Sequence, residues 1–127
     1  MLFRSEATAS AGEADLNAIL NTDEGARYFG EVALGTNPGL RRRLLNPLLN
    51  EKVGGSFHIT PGRAYSRTEY HGRPVMLDNG NRSDVHWDIA IPMLASFGGG
   101  RVLLDGALVQ EDGRFLAPEL SVLNAGL

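Results

Sequence analysis

Residues 56–65 read SFHITPGRAY and residues 84–90 read DVHWDIA, and these two stretches determine the interpretation of the chain. In the second stretch, apolar and polar residues alternate, which is typical of a strand and predicts one over residues 84–91. A strand sends residues i and i+2 to the same face, so we expect His86 and Asp88 to project together. We expect Trp87 to project from the opposite face into the core.

A second histidine, His58, lies in another predicted strand, residues 56–60. Glu31 adds a carboxylate at the start of a third predicted strand, residues 31–34. Imidazoles and carboxylates without sulfur are ligands that suit zinc, manganese, cobalt or ferrous iron. We hypothesise that these groups meet at a divalent metal ion. The alternative is that each is an ordinary polar residue at a sheet edge, since a histidine two residues before an aspartate is a weak motif.

Composition narrows the class of protein. The 127 residues are 43% hydrophobic and carry a net charge of −3, which predicts one folded domain and gives no basic field for nucleic acid. The chain contains no cysteine, which excludes disulfides, thiolate metal sites and a cysteine nucleophile. No apolar run approaches the roughly 20 residues that span a bilayer, and no signal peptide is recognisable. We therefore expect a soluble, cytoplasmic protein that binds neither membrane nor nucleic acid.

Helices are predicted in the first half of the chain. Residues 13–29 have helical spacing, with residues 22–24 either ending the helix or capping a second short one. Residues 40–50 have the clearest helical pattern, and Pro47 predicts a kink or a break near Asn46. The three arginines at 41–43 are expected on the solvated face of that helix.

The remaining segments predict strands, turns and loose ends. A short hairpin is expected at residues 74–77, and Asp-Gly turns predict a further hairpin over residues 101–113. Residues 1–12 could either pair as an edge strand or lie loose at the surface, and residues 118–127 are expected at the surface and could be loose. The fold class that follows is α+β, with a mixed, mostly antiparallel sheet and two or three helices.

Two further residues have alternative interpretations. Tyr65 follows His58 by seven positions, and its hydroxyl could donate a hydrogen bond to a reacting oxygen. Half-buried packing is the more ordinary role for such a tyrosine. His71 falls in a long polar segment and is expected to be exposed.

Several motifs then occur in a recognisable order: GEVALGTNP at 30–38, EKVGGSFHI at 51–59, Gly62-x-x-Tyr65, His86-Trp87-Asp88 and the hairpin from Asp105-Gly106 to Gly113. In this order and at this spacing they resemble the M29 metalloaminopeptidases. The resemblance runs from about residue 24 to residue 116, which is most of the chain.

The resemblance implies the fold, the activity and the site. Residues 1–127 would form a single domain like the C-terminal catalytic portion of the family, releasing N-terminal amino acids from peptide substrates. The implied cofactor is a divalent metal, namely zinc, cobalt or manganese, with two ions in a complete site. Matched by motif, the implied ligands are Glu31, His58, His86 and Asp88. Tyr65 matches the tyrosine beside the metals and would act in catalysis.

The chain also departs from the family pattern. Family members are roughly three times longer, and they have a further glutamate ligand upstream of the position of Glu31. The resemblance therefore implies a truncated site, for which one ion bound by His58, His86 and Asp88 is the simpler expectation.

Two other functions stay open. Two histidines and one carboxylate also form the ligand set of non-heme ferrous oxygenases, and a dihydroxypyridine dioxygenase group is distantly similar to the same fold. The chain could instead be a non-catalytic dimerising module. Loss of the N-terminal companion domain would uncover an apolar face, so a homodimer is expected.

Overall fold

The computed structural model describes residues 4, 9–40, 45–65, 68–76 and 78–127. The strands are β1 (Phe29–Gly35), β2 (Ser56–Pro61), β3 (Thr68–Tyr70), β4 (Arg73–Val75), β5 (Ile89–Pro92), β6 (Arg101–Leu104), β7 (Ala107–Glu111) and β8 (Arg114–Phe115). The α-helices are α1 (Glu13–Leu20) and α2 (Pro47–Asn50), and 3-10 helices span Glu24–Arg27, Ala95–Phe97 and Pro118–Asn124. The strands form three antiparallel sheets in the orders β1-β2-β5, β3-β4 and β6-β7-β8. The predicted α+β class is confirmed.

Contacts along the chain define two compact units. One comprises Met1–Val32 and Ile59–Asp88, and the other comprises Ala33–His58 and Ile89–Leu127. The first unit contains both α1 and the β3–β4 hairpin, and the second contains α2 and the β6-β7-β8 sheet.

The first helix ends where the sequence predicted that it might. α1 buries Leu20, which is 2% exposed, and stops at Asn21. Asp23 then caps the following 3-10 helix, because its carboxylate accepts a hydrogen bond from the N–H of Ala26 at 2.8 Å. The alternative in which residues 22–24 cap a second short helix is thus confirmed.

Asp23 also holds the segment that leads to His86. Its carboxylate accepts hydrogen bonds from the hydroxyl of Ser83 and from the N–H of Asp84, both at 2.8 Å. These contacts, the Asp84 N–H first, lower the pKa of Asp23, and partial burial opposes them.

The buried side chain of Asn81 also holds the segment that leads to His86. Its side chain is 3% exposed, and its amide donates to the carbonyl oxygens of Gly25, Tyr28 and Gly62 at 2.9, 3.1 and 2.6 Å. Buried carbonyls need such partners, because an unpaired one costs about 1–3 kcal/mol. The start of β1 and the end of β2 are therefore tied to the residues that precede His86.

The β3–β4 hairpin lies a few residues earlier than the predicted one. Its turn is His71-Gly72, with φ of 50° and 73°, which is the left-handed geometry of a tight hairpin turn. The prediction at residues 74–77 was wrong because Pro74 belongs to β4 rather than to the turn. In a two-stranded sheet a proline is tolerated, since each strand has one unpaired edge. His71 is exposed, as expected.

The second unit contains the predicted Asp-Gly turns. Asp105 and Gly106 connect β6 to β7, and Asp112 and Gly113 connect β7 to β8, all four with positive φ. Gly113 has no room for a side chain, since a Cβ there would lie 2.8 Å from the Cα of Gly55. The hairpin prediction over residues 101–113 is confirmed.

Pro47 begins a helix instead of interrupting one. α2 spans only Pro47–Asn50, with proline at the first helical position, where its missing N–H is harmless. Of the helix predicted over residues 40–50, the described residues contain only this part, since Leu40, Leu45 and Asn46 lie outside regular helix. The three arginines at 41–43 lie outside the described residues, so their predicted place on a solvated helix face stays a prediction.

The end of the chain contains regular structure, which the sequence pattern did not predict. Pro118–Asn124 form a 3-10 helix, and the side-chain amide of Asn124 pairs with the backbone N–H and C=O of Phe115, each at 2.8 Å. This pairing is a contact across nine residues, which no local pattern in the sequence predicts.

None of the helices in the described ranges is long and apolar enough to cross a membrane.

Candidate metal centre

One face of β2 is polar and buried. Ser56, His58 and Thr60 are 3%, 5% and 0% exposed, whereas Phe57 and Ile59 between them are half-buried. This confirms the predicted strand and places the three polar side chains on one face of it. Burying polar groups is unfavourable unless they are bonded, so a polar row inside a strand points to a specific purpose.

The segment with His86 and Asp88 is not a regular strand. β5 begins at Ile89, and His86 makes only an isolated bridge to Gly62, so the prediction of a strand from residue 84 was wrong. The physical reason is Pro61, whose carbonyl accepts a hydrogen bond from the N–H of Trp87 at 3.2 Å but which has no N–H to donate in return. Trp87 is half-buried rather than a core residue.

His86 and Asp88 nevertheless project together, as the spacing predicted. Nε2 of His86 lies 3.4 Å from Oδ1 of Asp88. Nδ1 of His86 lies 2.6 Å from the carbonyl oxygen of Arg63. Because a carbonyl can only accept, Nδ1 carries the proton, and in the neutral imidazole Nε2 keeps its lone pair. That tautomer is the one required for a metal ligand through Nε2.

Tyr65 contacts this histidine. The two rings are 4.4 Å apart between centroids and tilted by 55°, and Tyr65 is 58% exposed. The side chain is therefore not packed in a core, although its ring contacts that of His86. Its predicted catalytic role stays a prediction.

Thr60 contacts the carboxylate. Its hydroxyl donates to Oδ1 of Asp88 at 2.6 Å, which is short and typical of a hydroxyl bonded to an ionised carboxylate. Sequence reasoning missed Thr60 because threonine is common in strands and carries no signal of its own.

Glu51 is the second residue that the sequence analysis missed. It lies in the turn between α2 and β2, with only 12% of its side chain exposed, and contacts the ammonium group of Lys52. One carboxylate oxygen of Glu51 lies within 4.8 Å of an imidazole nitrogen of His58. The only signal in the sequence was an acidic residue just before Gly54-Gly55 and the histidine strand.

Glu51 and His58 are possible metal ligands in the second unit, and His86 and Asp88 are possible metal ligands in the first. Imidazole nitrogens and carboxylates match the ligand chemistry of zinc and of other first-row divalent metals. These donors therefore fit the predicted cofactor, and no feature of them identifies which metal binds. Glu31 lies half-buried on β1, and the ligand roles of Glu31 and His86 stay predictions.

Comparisons with known proteins identify the family of the chain. A family model described as Thermophilic metalloprotease (M29) matches residues 5–96. Aminopeptidase T of Thermus aquaticus is 39% identical over 116 residues, which cover 85% of this chain and 26% of that protein. Aminopeptidase T of Thermus thermophilus is 39% identical over 94 residues, covering 68% of this chain and 22% of that protein. The comparison with solved structures found no match. The chain thus spans about a quarter of the length of these relatives.

Proposed function

Since the chain belongs to the M29 family of metalloproteases, we propose that it is a metal-dependent aminopeptidase, or the metal-binding portion of one. The observations that support this most are three donors, Glu51 beside His58 in one unit and Asp88 beside His86 in the other. The substrate class we propose is a peptide with a free N-terminus, as the name of both relatives indicates for those proteins.

The three donors would hold one divalent ion, to which we add His86 through its Nε2. The strand itself supports the grouping: His58 and Thr60 lie two residues apart on β2, and Thr60 bonds Asp88. When bound, the ion supplies a Lewis acid for the scissile carbonyl and lowers the pKa of a coordinated water.

The residues around the ion would position the substrate and its protons. The carbonyl of Arg63 holds His86 in the tautomer that leaves Nε2 unprotonated. The hydroxyl of Tyr65 would donate a hydrogen bond to the oxygen that becomes negative during amide hydrolysis. Lys52 beside Glu51 compensates the negative charge of that carboxylate.

The ferrous dioxygenase alternative requires a set of two histidines and one carboxylate. With His86 included, the proposed set contains two carboxylates beside its two histidines, and the family match is to a metalloprotease. Both observations favour the peptidase, so we do not propose an oxygenase.

Hydrolysis of amino-acid p-nitroanilides tests the proposed activity. We expect turnover by the purified chain with zinc, cobalt or manganese added separately, and a loss of at least about 100-fold after the ion is removed by a chelator, since the ion supplies the Lewis acid. Asp105→Asn, in the β6–β7 turn, is the matched control and keeps full turnover. Absence of turnover with all three metals would exclude the activity for this chain.

We also propose that the chain forms a homodimer through the β6–β7 hairpin. β6 is an edge strand of its sheet, and Leu103, Leu104 and Leu108 are 59%, 65% and 37% exposed. Adjacent exposed leucines on an unpaired edge favour self-association. Light scattering should give twice the mass of the chain, and Leu104→Lys should give the monomer. A monomeric wild-type protein at high concentration would contradict this proposal.

A further inference from the structure

Thr60 is a fully buried hydroxyl residue that bonds a proposed ligand. It is 0% exposed, and its hydroxyl donates to Oδ1 of Asp88 at 2.6 Å across 28 residues of chain. A hydroxyl has a single proton, so this bond uses the one hydrogen that Thr60 can donate. The direction of the bond is therefore determined, because an ionised carboxylate can only accept.

A bond of this kind restrains the carboxylate. The terminal torsion of an aspartate is broad and has no sharp preference of its own. A fixed donor on one oxygen selects one orientation of the carboxylate plane and thereby the direction of both oxygens. β2 is itself held by pairing on both sides, so the donor is part of a rigid element.

Asp88 needs such a restraint because it lies outside regular structure. It is the last residue before β5, and 24% of its side chain is exposed. His86, two residues earlier, is held through its other nitrogen by the carbonyl of Arg63 at 2.6 Å. Thr60 holds the carboxylate of Asp88 in one orientation, as the carbonyl of Arg63 holds the imidazole of His86.

We propose that Thr60 is a positioning residue that orients Asp88 for metal binding. This inference rests on the proposed function, since it assumes that Asp88 binds the ion. Partners that orient metal ligands typically change metal affinity about 10–100-fold when they are removed. The proposal thus makes a statement about affinity and not only about folding.

Zinc affinity, measured by competition with a colorimetric chelator, tests the proposal. Thr60→Val keeps the shape of the side chain but removes the donor, so we expect an increase in Kd of about 10-fold or more. Thr60→Ser keeps the hydroxyl and should bind zinc within about threefold of the wild type, which a purely packing role would not predict. The matched control is Ser56→Ala, which removes another buried hydroxyl from β2, one that bonds the carbonyl of Val53 instead of a proposed ligand.

Each outcome has a defined meaning. Near-ultraviolet circular dichroism, which reports on Trp87 beside the site, checks that each variant is folded. Thr60→Ala removes the same hydroxyl without adding bulk, and it serves if Thr60→Val does not fold. Unchanged zinc affinity in either folded variant overturns the proposal. If neither Thr60→Val nor Thr60→Ala folds while Thr60→Ser does, the proposal is also overturned, because the hydroxyl is then needed for folding. If the wild type binds no zinc, cobalt or manganese, it is the proposed function that fails.

Discussion

Replacement of His58 by alanine is expected to raise the Kd for zinc by about 1000-fold. Zinc sites that contribute to folding bind with roughly 10–16 kcal/mol, so one of three or four donors accounts for about 4 kcal/mol, which is about 1000-fold in affinity. His58 is 5% exposed on β2, so neither water nor a neighbouring loop can readily replace its nitrogen. Isothermal titration of the purified variant with zinc measures the change.

The matched control is His71, the histidine in the turn of the β3–β4 hairpin. Since His71 has a φ of 50°, His71→Asn is the better control than alanine, because asparagine tolerates the left-handed region. We expect zinc affinity within about twofold of the wild type in this control, because an exposed turn residue contributes no donor to the site. Equal losses in the two variants would show that the histidine on β2 has no special role.

Replacement of Glu51 by glutamine is expected to raise the Kd for zinc by about 100-fold and to reduce p-nitroanilide hydrolysis in proportion. Glutamine has nearly the shape of glutamate, so the variant removes charge and one anionic oxygen with little change in packing. The loss of zinc affinity should be smaller than in His58→Ala, because the amide oxygen of glutamine is still a weak ligand. The measurement is the zinc titration together with the hydrolysis rate at one fixed zinc concentration that lies below the Kd of the variant.

Glu111→Gln provides the control for this change. Glu111 is exposed at the end of β7, and its charge is not part of the proposed donor set. We expect unchanged affinity and rate in this variant. An unchanged affinity in Glu51→Gln would remove Glu51 from the site, and a loss in Glu31→Gln would then support the ligand that the sequence resemblance implies.

Part of the local structure around the donors followed from the sequence. The strand predicted over residues 56–60 is found as β2, which carries His58. The pairing of His86 with Asp88 was also predicted, although the residues lie in irregular backbone. Side chains at positions i and i+2 of an extended backbone project to the same side, whether or not the backbone forms the hydrogen bonds of a sheet.

The sequence could not predict contacts that depend on tertiary structure. Glu51 lies in a turn, where no periodicity assigns a direction to its side chain. Thr60 acquires its role only from the hydrogen bond to a residue 28 positions away. The pairing of Asn124 with Phe115 likewise joins two residues nine positions apart, which no local pattern indicates.

The limits of β5 show how one residue changes a strand. Apolar and polar residues alternate from residue 84, yet the regular strand begins only at Ile89. Pro61 on the facing strand lacks the N–H that would continue the ladder. A prediction made one strand at a time does not include the partner strand, so it cannot anticipate this break.

The most direct test of the metal centre is a crystal structure of the chain grown with cobalt, with anomalous diffraction collected at the cobalt edge. We predict an anomalous peak within about 2.0–2.2 Å of an imidazole nitrogen of His58 and of carboxylate oxygens of Glu51 and Asp88. A cobalt ion bound elsewhere, with those three side chains directed away from one another, would contradict the proposed centre.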